Sequence, residues 1–533
     1  MFLKRIQVDR DRVSLLRSIK EKASLVLVSK HYSRLDYWVF SRRLMKEGIG
    51  PVADLRSLIR EEFSLKEWVL KIHGPGQIPY MALYDPGLFK RGYLKGSPHP
   101  LETLIASLPL LEKPVYMVPL TILYRNSLNK LRPSFWDILF GYGENPGVIR
   151  KALIFLRFSR DCVLSIGEPI LISPGDRASS IRERIQNGID LEKRVCLGPL
   201  FRGKQEIKEE VLTDKRVLEV IEGFSKGDPQ AEKKARKEAE KYFEEIASDY
   251  SPFFAQLFVA FLNWLWPRIF EGIEISQEEL LVVKEAARKA TIVYVPSHRS
   301  HVDYLILNHM LHLNMLHSPR IAAGVNLLFW PMGTLFRKAG AFFIRRAFRG
   351  AKLYTAVFTS YLKMLIKEGY PIEFFIEGGR SRTGKLVNPK AGLLTLILST
   401  YLEERGKNIA FVPVSIVYDK VPEDEEYAQE LMGKEKEKES TLQLIRAVRF
   451  LKKRYGKVYI RFGKPIYADE SLKSETADLA DQAQELADQI AISINRITVV
   501  TPLSLVSAAV LSKFRGGFTK EQLKEALNNY VSY

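Results

Sequence analysis

An α/β fold built from two related halves is what this chain predicts, and three observations carry that expectation. Short apolar runs such as Ile292-Val-Tyr-Val295 alternate with helical patterns of about 10–15 residues, the rhythm of strands joined by helices. The N-terminal third repeats the later pattern in weakened form. At 533 residues the chain has length for two or three domains with full cores.

The repeat is read from three pairs of segments. Leu25-Val-Leu-Val-Ser-Lys-His31-Tyr-Ser33-Arg-Leu-Asp36-Tyr37 aligns with Tyr294-Val-Pro-Ser-His298-Arg-Ser-His-Val-Asp303-Tyr304 on His, Ser, Asp and Tyr. Tyr116-Met-Val-Pro119 aligns with Phe411-Val-Pro413, and Ile166-Gly167-Glu-Pro169-Ile170 with Phe462-Gly463-Lys-Pro465-Ile466. The expected organisation is a degenerate α/β domain over 1–200 and a helical connector over 201–285. A second α/β domain over 286–495 and a helical C-terminal segment over 496–533 complete it. Glu206 to Asp249 is charge-dense and helical, broken at Gly227-Asp-Pro229. Asp419 to Ser440, with Glu423-Asp-Glu-Glu, is expected to be a solvated loop.

The segment with most chemistry is His298-Arg-Ser-His-Val-Asp303. Ile292-Val-Tyr-Val295 reads as a buried strand and Val302 to Leu313 as an apolar helix, so His298 sits at a strand mouth and Asp303 in the next helix's first turn. A carboxylate there can hold one imidazole nitrogen and leave the other to take a proton from a bound hydroxyl. The same residues also fit an S-x-x-D cap, in which Asp303 only satisfies backbone donors.

Downstream, Phe374-Phe-Ile-Glu377-Gly378-Gly379-Arg380-Ser381-Arg382-Thr-Gly-Lys385 opens a strand-like run into a glycine-rich turn bearing a carboxylate and three cations. Glycines admit close backbone approach to an anion, and guanidinium groups bind phosphate in a bidentate way. Gly340-Ala-Phe-Phe-Ile-Arg345-Arg346 is another apolar run ending in paired arginines. Gly379 to Lys385 also satisfies G-x-x-x-x-G-K, but Leu386 stands where a nucleotide loop carries its metal-binding Ser or Thr. Val387-Asn-Pro389 further interrupts the helix that should begin there.

The four blocks around His298/Asp303, Gly340 to Arg346, Phe375 to Arg382 and Val412-Pro413 together resemble the bacterial membrane-associated glycerol-3-phosphate acyltransferases, over roughly residues 286–470. Gly379, where related lysophosphatidate acyltransferases usually carry Thr, favours the glycerol-3-phosphate branch. The resemblance implies two acyltransferase-like α/β domains, the first degenerate. It implies transfer of a fatty acyl group from acyl-CoA or acyl-ACP to the sn-1 hydroxyl of glycerol 3-phosphate, giving lysophosphatidate for phospholipid synthesis. His298 would be the general base and Asp303 its orienting partner. Arg345, Arg346, Arg380, Arg382 and Lys385 are candidates for the substrate phosphate, of which two or three suffice. Glu377 fits a substrate-hydroxyl acceptor or a partner that fixes an arginine. Gly378 and Gly379 give backbone access, Ser381 lies in the same loop, and Pro413 shapes the pocket wall. No cofactor and no metal are expected beyond the acyl thioester. Acylation of dihydroxyacetone phosphate or lysophosphatidate, and a nucleotide-dependent phosphotransferase using the Gly379–Lys385 loop, are the alternatives.

In the first copy, Tyr84-Asp-Pro-Gly87-Leu-Phe-Lys90-Arg91-Gly92 stands in place of the E-G-G-R-S-R block, so His31 and Asp36 are expected to be scaffold. The net charge of +19 suits an anionic partner, here an anionic membrane surface rather than nucleic acid, whose motifs are missing from the sequence. Cys162 and Cys196 form no disulfide framework, which suits a reducing cytoplasm. The start, Met1-Phe-Leu-Lys-Arg-Ile-Gln-Val-Asp, has no apolar core of signal length. Tyr250 to Pro267 is uncharged, but Pro252 and Pro267 are expected to confine its helix to about 21 Å at about 1.5 Å per residue. A bilayer core needs about 30 Å. This segment reads as an interfacial helix with Trp264 and Trp266 near headgroups or as a core helix between domains, the core reading preferred. Peripheral, monotopic attachment to the cytoplasmic face is expected for the chain.

Overall fold

The computed structural model describes residues 6–55, 77–84, 100–124, 162–200, 202–345, 350–404, 406, 408–432, 453–472, 478–514 and 516–531. They fall into two compact units, Met1–Phe201 and Arg202–Tyr533.

The first unit contains β1 (Gln7–Val8), α1 (Arg10–Lys22), β2 (Ser24–His31), α2 (Arg34–Lys46), β3 (Val52–Asp54) and β4 (Ile78–Tyr84). It continues with α3 (Pro100–Ser107), β5 (Val115–Tyr124), β6 (Cys162–Ile166), β7 (Ile170–Ile172) and α4 (Ala178–Leu197). Strand order is β1-β6-β5-β2-β4-β3, with β7 paired to β5. β2 is parallel to β4 and β5, while β6 and β7 run antiparallel to β5. Alternate β2 residues face opposite layers, as the period of two in a strand requires. Leu25 and Leu27 join Val13, Leu16 and Phe40 on one side. Val26 and Val28 join Met81, Ile181 and Ile185 on the other.

The second unit opens with α5 (Lys204–Leu212), α6 (Lys215–Ser225), α7 (Pro229–Ile246), α8 (Pro252–Ile269), β8 (Gly272–Ile275) and α9 (Gln277–Lys289). Then come β9 (Thr291–Pro296), α10 (Asp303–Leu313), β10 (Arg320–Gly324), α11 (Met332–Ala339), β11 (Ala341–Ile344), α12 (Lys352–Glu368) and β12 (Ile372–Glu373). α13 (Gly392–Glu404), β13 (Ile409–Tyr418), α14 (Asp424–Leu431), β14 (Lys457–Phe462), β15 (Ile466–Tyr467), α15 (Ala468–Ser471) and α16 (Leu479–Arg496) lead to α17 (Pro502–Lys513) and α18 (Lys520–Val531). The order β11-β10-β12-β9-β13-β14-β8, with β15 on β13, repeats the topology of the first sheet and adds β11. Two related α/β sheets are therefore present. β8 lies inside the stretch read as connector yet forms a sheet edge, and α6 and α7 bury Val217, Ile221, Ala239 and Phe243 in the core beneath this sheet.

α12 is buried nearly all round, which its apolar composition demands. Val293, Val295, Ile372 and Phe374 pack against it. β9 to β12 are parallel, and β13 is parallel to β9, so the residues after their C-terminal ends emerge along one edge. That edge is where open α/β sheets bind ligands.

The repeated proline–glycine pair has a direct physical cause. The amides of Gly167 and Gly463 donate to the carbonyls of Pro119 and Pro413, both at 2.8 Å. Pro413 has no N–H to offer and lies on β13 between the ends of β14 and β15, where the antiparallel ladder jogs. Its ring packs against Gly463, so the proline shapes the sheet rather than acting as a chemical group. A Cβ on Gly167 would lie 2.9 Å from Pro119 Cβ, and one on Gly463 2.7 Å from Ser493 Oγ and 3.2 Å from Pro413 Cβ. Gly167→Ala and Gly463→Ala should each destabilise their unit by about 1–3 kcal/mol in chemical unfolding, as overpacking does. Wild-type stability in both would remove this contact from the determinants of the fold.

Candidate active site

β9 ends at Pro296, and the chain crosses to α10 through His298. Asp303, the first residue of α10, is fully buried. Its Oδ2 meets His298 Nδ1 at 3.0 Å and accepts the amides of Arg299 at 2.7 Å and Ser300 at 2.8 Å. Its Oδ1 accepts the Tyr418 hydroxyl at 2.6 Å. The two readings of Asp303 therefore hold together: it satisfies backbone donors and it holds the imidazole. Burial, then the Asp303 charge, raises the Tyr418 phenol well above its usual range, so it remains a donor. The His298 ring stacks on Phe375, with centroids 3.8 Å apart and planes at 20°. With the Nδ1 proton directed at a carboxylate, Nε2 is the nitrogen left to accept one.

The loop after β12 is fastened to the same strand mouth. Ser381 N–H donates to the His298 carbonyl at 2.8 Å. Glu377 accepts the amides of His298 at 2.7 Å and Val387 at 2.8 Å, and it is buried. Burial raises the Glu377 carboxyl, against the pull of those amides. Its oxygens thus brace the two loops, a different job from accepting a substrate hydroxyl or fixing an arginine. Gly378 adopts φ +63°, and a Cβ there would press on Lys390 at 3.0 Å, so glycine is required. A Cβ on Gly379 would meet nothing within 4 Å, which leaves its backbone open to a ligand.

The cations divide into groups. Arg345 directs Nε and NH2 at the two Glu245 oxygens, both at 2.6 Å, with its guanidinium between Tyr242 and Tyr354. Arg382 forms an ion pair with Glu430. Arg380 donates to the Tyr427 hydroxyl at 3.0 Å, and Lys385 is exposed on the glycine-rich loop. Arg346 lies outside the described residues. In the first unit Ser33 caps α2 by accepting the Asp36 amide, and the His31 ring lies 5.7 Å from that of Tyr84. The segment from Asp85 to Gly92 lies outside the described residues.

Several contributors escaped the sequence reading. The expectation of a solvated loop over 419–440 is corrected for its described part. Glu423, just before α14, is 4% exposed, because its oxygens turn inward to accept the Ser300 hydroxyl at 2.7 Å and the His301 amide at 2.8 Å. Residues 433–440 lie outside the described residues. Burial pushes the Glu423 carboxyl up to about 7, and Asp303 adds to the rise. The bonds from His301 and Ser300 and the charge of Arg380 oppose it. Glu373 on β12 is fully buried with no hydrogen-bond partner among the described residues. Burial, then Asp303, raises its carboxyl well above the usual range, so it stays protonated.

Two outcomes follow from these buried acids. Glu373→Leu should raise stability by about 1–3 kcal/mol, the desolvation cost of an unpaired polar group. A lower melting temperature would reveal a partner for the carboxyl. Glu423 has its folded-state value above the unfolded one. Its stabilising contribution is therefore whole below the ordinary carboxylate range and lost as pH rises through about 7. Relative to Glu423→Gln, which cannot ionise, the wild type should lose thermal stability from about pH 5 to about pH 8. Parallel pH curves for the two proteins would contradict this.

Residues 427–533 match the model of the glycerol-3-phosphate acyltransferase C-terminal region, and residues 272–417 match the acyltransferase model. A glycerol-3-phosphate acyltransferase of Shewanella woodyi is 34% identical over 412 residues, covering 73% of this chain and 51% of that protein. One from Pseudomonas savastanoi is 33% identical over 464 residues, covering 82% and 55% respectively. One from Haemophilus influenzae is 39% identical over 345 residues, covering 62% and 42%. The chain spans about half the length of the curated relatives it matches. Among solved structures it is similar to the 1-acyl-sn-glycerophosphate acyltransferase of Thermotoga maritima, at 17% identity and a TM-score of 0.26, over 55% of this chain and 96% of that one. From its acyltransferase segment, its C-terminal region and these relatives, the chain belongs to the bacterial glycerol-3-phosphate acyltransferase family.

Proposed function

We propose that this chain transfers a fatty acyl group from acyl-CoA or acyl-ACP to the sn-1 hydroxyl of glycerol 3-phosphate. The observation that carries the reading is the buried Asp303 carboxylate on His298 Nδ1, beside a glycine-rich cationic loop bonded to the His298 carbonyl. His298 Nε2 takes the hydroxyl proton as that oxygen attacks the thioester carbonyl. The tetrahedral intermediate expels the thiolate, which leaves as a thiol with the proton that His298 returns. Lysophosphatidate is the second product. Asp303 holds the tautomer and balances the imidazolium while it exists.

The phosphate falls to Arg380 and Lys385, on the loop that opens at Gly379. The bidentate Glu245 pair assigns Arg345 to bracing β11 against α7. A nucleotide phosphotransferase is disfavoured because α13 begins at Gly392, well beyond Lys385, so the helix that follows does not start at the Gly379–Lys385 loop.

Attachment to an anionic membrane surface on the cytoplasmic face belongs to the same proposal. Among the described residues no helix is long and apolar enough to cross a membrane. α8 runs through Pro267 for 18 residues, longer than the prolines implied. It buries Leu262, Trp266 and Ile269 and exposes Phe253, Leu257, Phe261 and Trp264, so its outer face is not core and only one of the two tryptophans faces outward. Phe254, Phe258, Phe261 and Trp264 form a ladder of stacked rings, and Arg268 lies over Trp264 at 4.2 Å. An apolar face ending in Trp and Arg suits the headgroup boundary.

Acyl transfer from palmitoyl thioesters of both carriers to labelled glycerol 3-phosphate tests the reaction. His298→Ala, still folded, should lose about 10²–10⁴-fold in turnover. Wild-type turnover in that variant would remove His298 from the mechanism. Absence of product from the wild type with either carrier, while dihydroxyacetone phosphate or lysophosphatidate is acylated, would move the acceptor. Replacing Phe253, Leu257 and Phe261 together by Ser should abolish cosedimentation with anionic vesicles; retained binding would place the contact elsewhere.

A further inference from the structure

Glu423 just before α14, and Tyr427 and Glu430 on it, have the i, i+4, i+7 spacing that puts residues on one helix face. Each meets a different part of the candidate site. Glu423 accepts the Ser300 hydroxyl and the His301 amide, as described above. The Tyr427 hydroxyl donates to the Arg299 carbonyl at 3.0 Å and accepts from Arg380 NH1 at 3.0 Å, with that guanidinium 5.6 Å from its ring centroid. Glu430 holds Arg382. One helix face thus grips the turn that follows the base, residues 299–301, and the arginine loop, residues 380–382. Tyr427 bonds to both.

We propose that Glu423 and Tyr427 are positioning residues that fix the spacing between the His298 base and the Arg380 phosphate site. This rests on the acyl-transfer reading given above. In glycerol 3-phosphate a short carbon chain separates the phosphate from the sn-1 hydroxyl. A substrate anchored at one end presents that hydroxyl to His298 Nε2 only if the two loops keep one separation. A surface helix rich in acidic residues therefore has a function on its inner face. Glu423 sets the turn carrying Arg299, Ser300 and His301, whose first two amides also hold Asp303. Tyr427 aims the guanidinium through an uncharged hydroxyl, whereas Glu430 holds Arg382 through a carboxylate. Neither residue is placed in contact with substrate.

The test uses the full chain and four proteins: wild type, Tyr427→Phe, Glu423→Ala and Glu423→Gln. Steady-state kinetics with glycerol 3-phosphate are paired with amide hydrogen exchange across residues 298–303. Tyr427→Phe removes both hydrogen bonds of the hydroxyl, one of them to a charged group. It should raise KM for glycerol 3-phosphate about tenfold and leave kcat within about twofold, the pattern of lost uniform binding. Glu423→Ala should lower kcat about tenfold and speed exchange at His301, whose amide loses its acceptor. Glu423→Gln should recover most of both, because its carbonyl can accept from His301 while its amide donates to the Ser300 oxygen. An unchanged KM in Tyr427→Phe, or a glutamine no better than alanine, would overturn the proposal. Should Glu423→Ala fail to fold, the Tyr427→Phe split and the Glu423→Gln exchange pattern decide alone. If the wild type transfers no acyl group, the reaction assignment falls. Exchange then judges the strut: faster exchange at His301 in Glu423→Ala, restored in Glu423→Gln, keeps it, and uniform exchange overturns it.

Discussion

The burial of the Asp303 carboxylate governs the arrangement of the site. A charge fully out of water is tolerated only when its lone pairs are filled, and here four donors fill them: the His298 ring, the amides of Arg299 and Ser300, and the Tyr418 hydroxyl. Those donors come from the turn before α10 and from the far end of β13. The sheet order that sets β13 beside β9 is what lets Tyr418 reach. The turn is compact because two consecutive amides converge on one oxygen, and that convergence directs His298 outward from the strand mouth. The fold delivers the donors, the donors hold the charge, and the charge fixes the histidine.

Around this point the second unit separates holding from binding. Glu377 and Ser381 spend their hydrogen bonds joining the glycine-rich loop to the backbone of His298. Arg345 spends its guanidinium on Glu245, and Arg382 spends its own on Glu430. Such pairs at partly exposed positions add little stability by themselves, but they fix side chains that would otherwise compete for one anion. Arg380 is aimed by the Tyr427 hydroxyl instead of a carboxylate of that helix. The first unit keeps the strand order and the proline–glycine contact, and its sequence lacks the E-G-G-R-S-R block.

What the sequence made legible was local or periodic. The apolar run through Val295, the five-residue step from His298 to Asp303 and the repeated Pro–Gly segments all express short-range geometry, and each is found within its own unit. What stayed hidden came from distant chain. Tyr418 lies at the end of a strand that reads only as apolar, and nothing near it names Asp303 as its partner. Glu423 opens a run of acids whose other members face solvent, so charge density pointed outward while one carboxylate turned inward. β8 hides inside the stretch read as connector because an edge strand of four residues carries little pattern. In α8, Pro267 sits in the last turn, where it is accommodated, and the buried residues follow Leu262, Trp266 and Ile269 rather than the aromatic ladder.

The most direct test of the account is the protonation pattern of the His298 ring, read by nitrogen NMR of the histidine-labelled chain. In the neutral ring the account predicts the proton on Nδ1, hydrogen-bonded to Asp303, with Nε2 bare and able to accept a hydroxyl proton; Asp303→Asn should disturb that signature. A neutral ring protonated on Nε2 would contradict it, because the nitrogen facing substrate would then be a donor and His298 could not act as the base.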